Sequence, residues 1–343
     1  LLPSGVEDND PAARYQFCVR AGFLSADKPH FSIHRQAPVN AVLRILVLGA
    51  AAGGGFPQWN SNSEACNRAR NGDARSLTQS SIAVTADGEH WVVLNASPDI
   101  RHQINENPSL HPRHGKRHSP ISAVVLTNGD VDHVAGLLTL RESTPFTIHA
   151  SDRVLAVLKE NSIFNVLNPE YVTRSEIDLE TPFSPTPGLE IEAFAVPGKV
   201  ALYLEDGDAG NNFGTQDGDT IGLVVRETAT GQSFFYIPGC AAMPDGLAKR
   251  LTGAPLVLFD GTLFENEEMI ARSEGIKTGQ RMGHMSISGP EGVLAVFEIL
   301  AVERRVLIHI NNTNPILLED SQERAVVEAA GWEIAWDGME IEL

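Results

Sequence analysis

From Leu43 onward the chain is a succession of short runs of Val, Ile and Leu, each cut off by Gly, Pro, Asn or Asp. Runs this short, bounded by turn residues, read as buried strands, and the punctuation is too frequent for a helical bundle. "LRILVLG" (Leu43 to Gly49) is the first, running into "AAAGGGFPQ". "SSIAVTADGEHWVVLNA" (Ser80 to Ala96) reads as a hairpin whose Asp87-Gly88 turn supplies the positive φ angles a tight hairpin needs. "SPDIRHQI" opens a helix with Ser97 as N-cap and Pro98 in its first turn; "ISAVVLT" is the next strand and "HVAGLLTLRES" the helix behind it. In a second series, strands are expected near Leu189 to Val196, Ala201 to Glu205, Thr220 to Glu227, Ser233 to Pro238, Pro255 to Asp260 and Arg305 to Ile310. Helices are expected near Met243 to Leu251, Pro290 to Val302 and Glu319 to Ala330, with a closing hairpin around Asp337-Gly338. Two series of mainly antiparallel strands followed by strand–helix units predict an α+β chain: two sheets packed face to face with helices outside.

Leu1 to Asn40 follows a different rule, rich in Pro, Asp, Ser and Ala and without a sustained apolar period. It starts on Leu and lacks the basic-then-apolar-then-small order of a secretory signal. A poorly ordered extension over 1–42 and one domain over 43–343 are expected. Hydrophobic residues make up 42 % of the chain, enough for a large core, and no run approaches the roughly 18 apolar residues of a membrane span. The 26 Lys and Arg against 44 Asp and Glu leave a formal charge of −18, which argues against a nucleic-acid partner. Three cysteines (Cys18, Cys66, Cys240), far apart and without a CxxC, build neither a disulfide framework nor a closed zinc site. A reducing cytoplasm suits such a chain.

"LTNGDVDHVAGLL" (Leu126 to Leu138) places Asp130, Asp132 and His133 between an apolar strand and an apolar helix. Carboxylates and a neutral imidazole at a strand end are good ligands for a divalent metal. The plain alternative is an Asx turn at Asn128 with Asp132 capping the helix. "VLIHINNTNP" (Val306 to Pro315) repeats the arrangement, with His309 ending an apolar strand ahead of a polar loop, and "RMGHMSISGP" brings His284. Three strand-end sites of this kind fall at one edge of a sandwich.

Asn128 to His133 lies where metallo-β-lactamase-fold proteins carry His-x-His-x-Asp-His, and "LIHINNTNP" looks like their last metal-binding strand end. The run from Leu43 to Leu343 carries "LGAAAGGGFPQWN", "TQSSIAV", "LNASPDIR", "LTNGDVDHVAGLLTLRE", "YIPGC", "LFDGT", "GHMSISG" and "HINNTNPIL" in order. It resembles one family within that superfamily, the pyrroloquinoline quinone (PQQ) biosynthesis protein B family. The resemblance implies an αββα four-layer sandwich.

It also implies which ligands are lost and kept. The first metal site of the dinuclear relatives would need His at positions 128 and 130 and in "VPGKVALYL", where Asn128, Asp130 and Lys199 stand, and a bridging carboxylate where Cys240 stands. The second site, Asp132, His133 and His309, is complete. Two imidazoles and one carboxylate are the ligand set of mononuclear iron(II) oxygenases. Iron(II) is the implied metal, with zinc a substitute in isolated protein, and hydroxylation of the tyrosine ring of a Glu–Tyr-derived PQQ precursor the implied reaction. The rival readings are a soluble carrier that helps PQQ or its precursor toward the periplasm, and a zinc hydrolase. The implied partners are that small-molecule or dipeptide precursor and other PQQ-pathway proteins, with no membrane insertion. His284 supplies a proton-transfer group in superfamily relatives; a further metal ligand or a helix-entry His are the alternatives. Asp130 is either a ligand or the acceptor that fixes a ligand tautomer.

Weaker signals complete the reading. Gly53, Gly54 and Gly55 permit a tight turn near the site and lack the Gly-Lys-Ser/Thr ending of a phosphate loop. In "WNSNSEAC", where some family members carry three Cys for a structural metal, only Cys66 remains beside Ser61 and Ser63, so hydrogen bonds are expected to hold the loop. Cys240 is either a third, thiolate-type ligand or a small core residue, the reading that free cysteine's usual burial favours. "HPRHGKRHSP" offers Arg113 and Arg117 as carboxylate partners for substrate, or is simply a solvated loop. Asn128 and Asn311 are further substrate candidates.

Overall fold

The computed structural model describes residues 42–208 and 214–343, so the expected N-terminal extension falls outside them apart from its last residue. The apolar runs form fourteen strands: β1 Arg44–Gly49, β2 Ser81–Thr85, β3 Trp91–Leu94, β4 Ile121–Val125, β5 Phe146–Ala150, β6 Val172–Glu176, β7 Phe183–Thr186, β8 Leu189–Ala195, β9 Ile221–Glu227, β10 Ser233–Ile237, β11 Leu256–Asp260, β12 Arg304–Ile308, β13 Glu333–Ile334 and β14 Glu340–Glu342. They make two seven-stranded sheets, ordered β14-β1-β2-β3-β4-β5-β6 and β13-β12-β11-β10-β9-β8-β7. Read from β14 and from β7, both sheets run through antiparallel pairs and then parallel ones, the change falling at β3–β4 and at β10–β11.

Strand alternation assigns the core. Ile45 and Val47 of β1 face the second sheet, in one apolar cluster with Ile191, Leu223 and Leu258. Leu46 and Leu48 face the other way, packing with Ile100, Leu137 and Val154 of the outer helical layer. Both faces of the first sheet are therefore buried, and the αββα layering follows. Serine N-caps open the helices at Glu64–Asn71, Asp152–Glu160 and Gln322–Ala329, each accepting a main-chain N–H from the first turn.

Four expectations change. The helix after β3 begins at Ile100 with Asp99 at its N-cap position, rather than at Pro98 behind a Ser97 cap; the Ser97 hydroxyl instead accepts from Asp99 N and bonds Gln103. "HVAGLLTLRES" yields only one α-turn, Val131–Val134, and a 3-10 turn, Ala135–Leu138, because Gly136 is pressed onto the preceding loop, where a Cβ would lie 2.1 Å from Ser97 O. Ala201 to Glu205 is a 3-10 turn (Leu202–Leu204) rather than a strand, held across the acidic turn by a hydrogen bond from the Tyr203 hydroxyl to Gly129 O (2.6 Å). The closing hairpin is absent among the described residues: β13 pairs with β12 in one sheet and β14 with β1 in the other, so Asp337-Gly338 crosses between sheets. No helix among the described residues is long and apolar enough to cross a membrane.

That crossing turn is tied down by the Asp337 carboxylate, which accepts from Ala50 N (3.0 Å), Thr78 N (2.7 Å) and Thr78 Oγ1 (2.7 Å). Burial, helped by the charge of Asp99 and opposed by those hydrogen bonds, pushes its pKa up to about 6. The folded-state value thus lies above the unfolded one. Between about pH 4 and 6 the folded protein retains a proton that the unfolded chain has lost, so stability falls as pH rises through that window and then levels off. Denaturant titrations across it should show the native protein losing about 2–3 kcal/mol more than Asp337→Asn. Parallel profiles for the two proteins would refute this assignment.

Candidate metal centre

The carboxyl ends of the parallel strands β4, β10, β11 and β12 meet at one edge of the sandwich, the place where open α/β sheets gather ligand-binding loops. After β4 the Asn128 side chain accepts from Asp130 N at 3.0 Å, which makes the Asx turn its sequence predicts. Asp130 takes the N-cap position of the one-turn helix without capping it, and Asp132 lies inside the first turn. Asp132 is thereby released from any capping duty. Its Oδ2 lies 3.2 Å from His309 Nε2 and 3.9 Å from His133 Nε2.

His309 follows β12 directly and holds a φ of 61°, costly for a residue with a side chain. Its neighbours are fixed: Ile308 O accepts from Gly261 N (2.7 Å), Ile310 N donates to Ala50 O (2.9 Å), and Ala52 N donates to Ile310 O (2.8 Å). The loop after β1 thus clamps the end of β12. Within that loop Gly53 sits against Asp132, where a Cβ would lie 3.3 Å from Oδ2, and Gly54 and Gly55 adopt positive φ. The glycine run is a turn at the site, as the sequence predicts.

Behind the imidazoles lies Asp260, fully buried at the end of β11. It accepts from Cys240 N (2.9 Å), Thr262 N (3.0 Å), the Thr262 hydroxyl (2.7 Å) and His284 Nδ1 (2.7 Å). Having given its proton to Asp260, the Thr262 hydroxyl accepts from His309 Nδ1 at 2.9 Å. His309 Nε2 is then free to face Asp132, and His284 Nε2 is left as an acceptor. On the opposite side Asn95, itself at φ 64°, fixes Thr127 through Thr127 N (2.8 Å), and Thr127 Oγ1 lies 3.4 Å from His133 Nδ1. Asp260, Thr262, Asn95 and Thr127 were not singled out in the sequence. The available signal was a carboxylate ending an apolar strand in "LFDGT".

His133 Nε2 is buried with no hydrogen-bond partner, a costly state for a polar atom. Burial pushes the His133 pKa down to about 4 against the opposing pull of Asp132, which keeps the ring neutral, the form that ligates metals. Burial would raise Asp132, but His133 and then His309 hold its carboxyl below the ordinary range. Burial would lower His309, but its hydrogen bond to Asp132 and the charges of Asp132 and Asp260 raise it. A cation belongs between these atoms, either the proton on His309 or a metal ion that displaces it. The donor atoms of Asp132, His133 and His309 lie within 4.8 Å of one another, and the orphaned Nε2 gives the set its fit to a metal. Asp260, His284 and His309 form a second close group, but there the four donors on Asp260 leave no lone pair to spare.

Asp132, His133 and His309, with Asn128, Asp130, His284 and Asn311, line a cavity of about 430 Å³, a size suited to a small ligand. Asp130 accepts from Leu202 N at 3.2 Å and belongs to neither metal-competent group. Asn311 donates to Thr313 Oγ1 at 2.7 Å. Arg113 and Arg117 are not brought to this cavity: they precede β4 while the site follows it, about 17 Å along the strand for its five residues. Arg113 is spent on Gly88 O, Ser109 O and Glu89, and Arg117 is 4.0 Å from Glu142 on the surface. Cys240 is buried in the main core with its thiol pushed up to about 12 by that burial. Ser61 bonds Ser63 (3.1 Å) and Glu274 (2.8 Å), and Ser63 accepts from Cys66 N (3.2 Å), so hydrogen bonds do tie this loop.

A family model described as the Beta-lactamase superfamily domain matches residues 90–310. "Coenzyme PQQ synthesis protein B" of Methylorubrum populi is 53 % identical over 303 residues, covering 88 % of this chain and all of the relative. The crystal structure of Zn(2+)-bound PqqB from Methylobacterium extorquens superposes with a TM-score of 0.84 at 51 % identity, over 88 % of this chain and 100 % of that one. A diphosphatase of the PhnP family, at 18 % identity, shares the fold with a TM-score of 0.61 over 88 % of this chain and 97 % of its own.

Because a proton and a metal compete for the gap between Asp132 and His309, zinc binding should release protons, and zinc affinity should weaken as pH falls. Calorimetry in buffers of different ionisation enthalpy measures the release. His133→Ala should lower zinc affinity by more than about 100-fold, beyond what loss of an outer hydrogen bond does. Proton-neutral binding, or full zinc occupancy in His133→Ala by elemental analysis, would remove the centre from these residues.

Proposed function

The chain belongs to the coenzyme PQQ synthesis protein B family of the β-lactamase superfamily, and on that premise we propose that it serves PQQ biosynthesis as a metal-dependent oxygenase. The substrate in this reading is a Glu–Tyr-derived precursor whose tyrosine ring is hydroxylated. The observation that carries it is the convergence of two imidazoles and one carboxylate, Asp132, His133 and His309, at one end of an open cavity. A dinuclear hydrolase needs a second ion facing the first. Here Asn128, Asp130 and Lys199 line that side of the cavity and Cys240 lies in the core, a poor second cage.

Ferrous ion held by the three ligands would supply oxygen activation with positions left open for substrate. The protein's own part is positioning and proton handling. Apolar Leu202, Met269, Ile276 and Met282 form a wall against which an aromatic ring sheds water. His284, on the cavity wall with its Nδ1 proton committed to Asp260 at 2.7 Å, keeps Nε2 as the base that would take a proton from the ring or its phenol. Thr262 fixes the tautomer of His309 through its Nδ1, and Asp260 fixes that of His284 through its own. Zinc in the Methylobacterium relative is consistent with a site for a divalent ion in this family.

The test is anaerobic iron(II) loading of the full chain, quantified by elemental analysis, then oxygen, a reductant and the tyrosine-containing precursor, with mass detection of product. About one iron per chain and a one-oxygen mass gain, both lost in His309→Ala, are expected. His284→Gln should keep the iron and lower turnover by about 10²–10⁴-fold. Saturable binding of precursor or PQQ with no metal-dependent product would replace the oxygenase with the carrier.

A further inference from the structure

Lys199 enters the cavity from the segment between β8 and β9, on a backbone that is pinned. Thr220 Oγ1 donates to Lys199 O at 3.0 Å and Val200 N donates to Thr215 Oγ1 at 3.0 Å. At Gly198 there is no room for a side chain, since a Cβ would lie 2.4 Å from Thr220 Oγ1. The aliphatic stem of Lys199 lies along Gly283, where a Cβ would come within 2.9 Å of Lys199 Cγ. The ammonium is thus delivered into the cavity wall on a fixed arm, with its side chain 17 % exposed.

Its counter-charges are poorly placed. Asp130 Oδ1 is 3.8 Å away and Glu205 Oε1 3.9 Å, both beyond hydrogen-bonding distance. Each carboxylate already serves a closer donor. Asp130 Oδ1 accepts from Leu202 N at 3.2 Å, and Glu205 is held by Arg281 through both oxygens at 3.0 and 2.6 Å. Lys277, also on the cavity wall, reaches the same Glu205 only at 3.9 Å. Among the described residues, Lys199 has no acceptor at hydrogen-bonding distance. Ion pairs this long add too little to explain a rigid, half-dry ammonium as a structural strut. In a chain of net charge −18, two under-compensated cations in one cavity mark it for an anion.

We propose that Lys199, seconded by Lys277, anchors a substrate carboxylate in this cavity, with the aromatic body of the substrate lying on Leu202, Ile276 and Met282. The proposal rests on the reading of the cavity as a substrate site and names the chemical class it selects: an aromatic carboxylate rather than a neutral or cationic aromatic. Lys199 is in these terms a specificity-determining residue. It fixes how the ring is presented to Asp132, His133 and His309.

The experiment is calorimetric titration of the zinc-loaded full chain, which binds without turning over, with the dipeptide Glu–Tyr and with its dimethyl ester. The native protein should favour the acid by about tenfold at low salt, a preference that shrinks as salt is raised. Lys199→Met should cut that preference to about twofold while leaving the ester's affinity unchanged, and Lys199→Arg should keep most of it. The unchanged ester affinity serves as the check that Lys199→Met is folded. An acid preference that survives in Lys199→Met would place the carboxylate on the metal and overturn the proposal, as would no preference in the native protein. The readout is binding alone, so failure of the iron-loaded protein to hydroxylate would overturn the oxygenase and leave this assignment standing.

Discussion

Asp132 Oδ2 and His309 Nε2 face each other 3.2 Å apart, one from the loop after β4 in the first sheet and one from the end of β12 in the second. Both are acceptors once His309 Nδ1 donates to Thr262. Two lone pairs at that distance repel unless a cation stands between them. The seam between the sheets therefore closes around a charge requirement, and the elements on either side are arranged to meet it. His133 brings a third lone pair with no other partner, which turns a gap a proton can fill into one a metal fills better.

The hydrogen-bond network behind Asp132, His133 and His309 explains why the requirement is not relieved by movement. Asp260 accepts four hydrogen bonds from Cys240, Thr262 and His284 while fully buried, and a buried carboxylate is tolerable only when satisfied in this way. Rotation of His309 away from Asp132 would break its bond to Thr262 and disturb Asp260 in turn. The positive φ of His309 belongs to the same economy. The strain, of order 1–3 kcal/mol, is sustained by the main-chain bonds of Ile308 and Ile310 on either side. Local strain of this kind keeps a ligand aimed without a ligand present.

Strand periodicity made the sandwich legible because both faces of the first sheet are buried, so nearly continuous runs such as "RILVLG" announce themselves. The cluster of Asp132, His133 and His309 is legible for a different reason: carboxylates and imidazoles at strand ends have no packing purpose. What failed were segments whose conformation is imposed from outside. Leu202 to Leu204 alternates like a strand but is folded over the acidic turn by the Tyr203–Gly129 bond, and Glu333 and Glu340 look like two arms of a hairpin although their strands join different sheets. Asp260 escaped notice because a single acid at the end of "LVLFD" is indistinguishable from a turn former until the topology sets His284 beside it. Arg113 and Arg117 misled in the opposite sense. Their charge was visible, but only the fold shows that β4 separates them from the centre.

Charge distribution links these observations to chemistry. A chain this acidic repels anions at long range, so the carboxylate-bearing substrate proposed above would gain nothing from the global field and would have to be recognised inside the cavity, where screening by water is weakest. The first half of a dinuclear cage would have placed a second dication there. In its stead Asn128 is neutral, Asp130 is spent on Leu202, and Lys199 carries a single positive charge on a hydrocarbon arm. An ammonium binds a carboxylate but does not activate water for hydrolysis. On the reading proposed above, a lysine on that side of the cavity leaves no second dication for hydrolysis and would instead hold a carboxylate-bearing substrate still beside a single metal with open coordination positions.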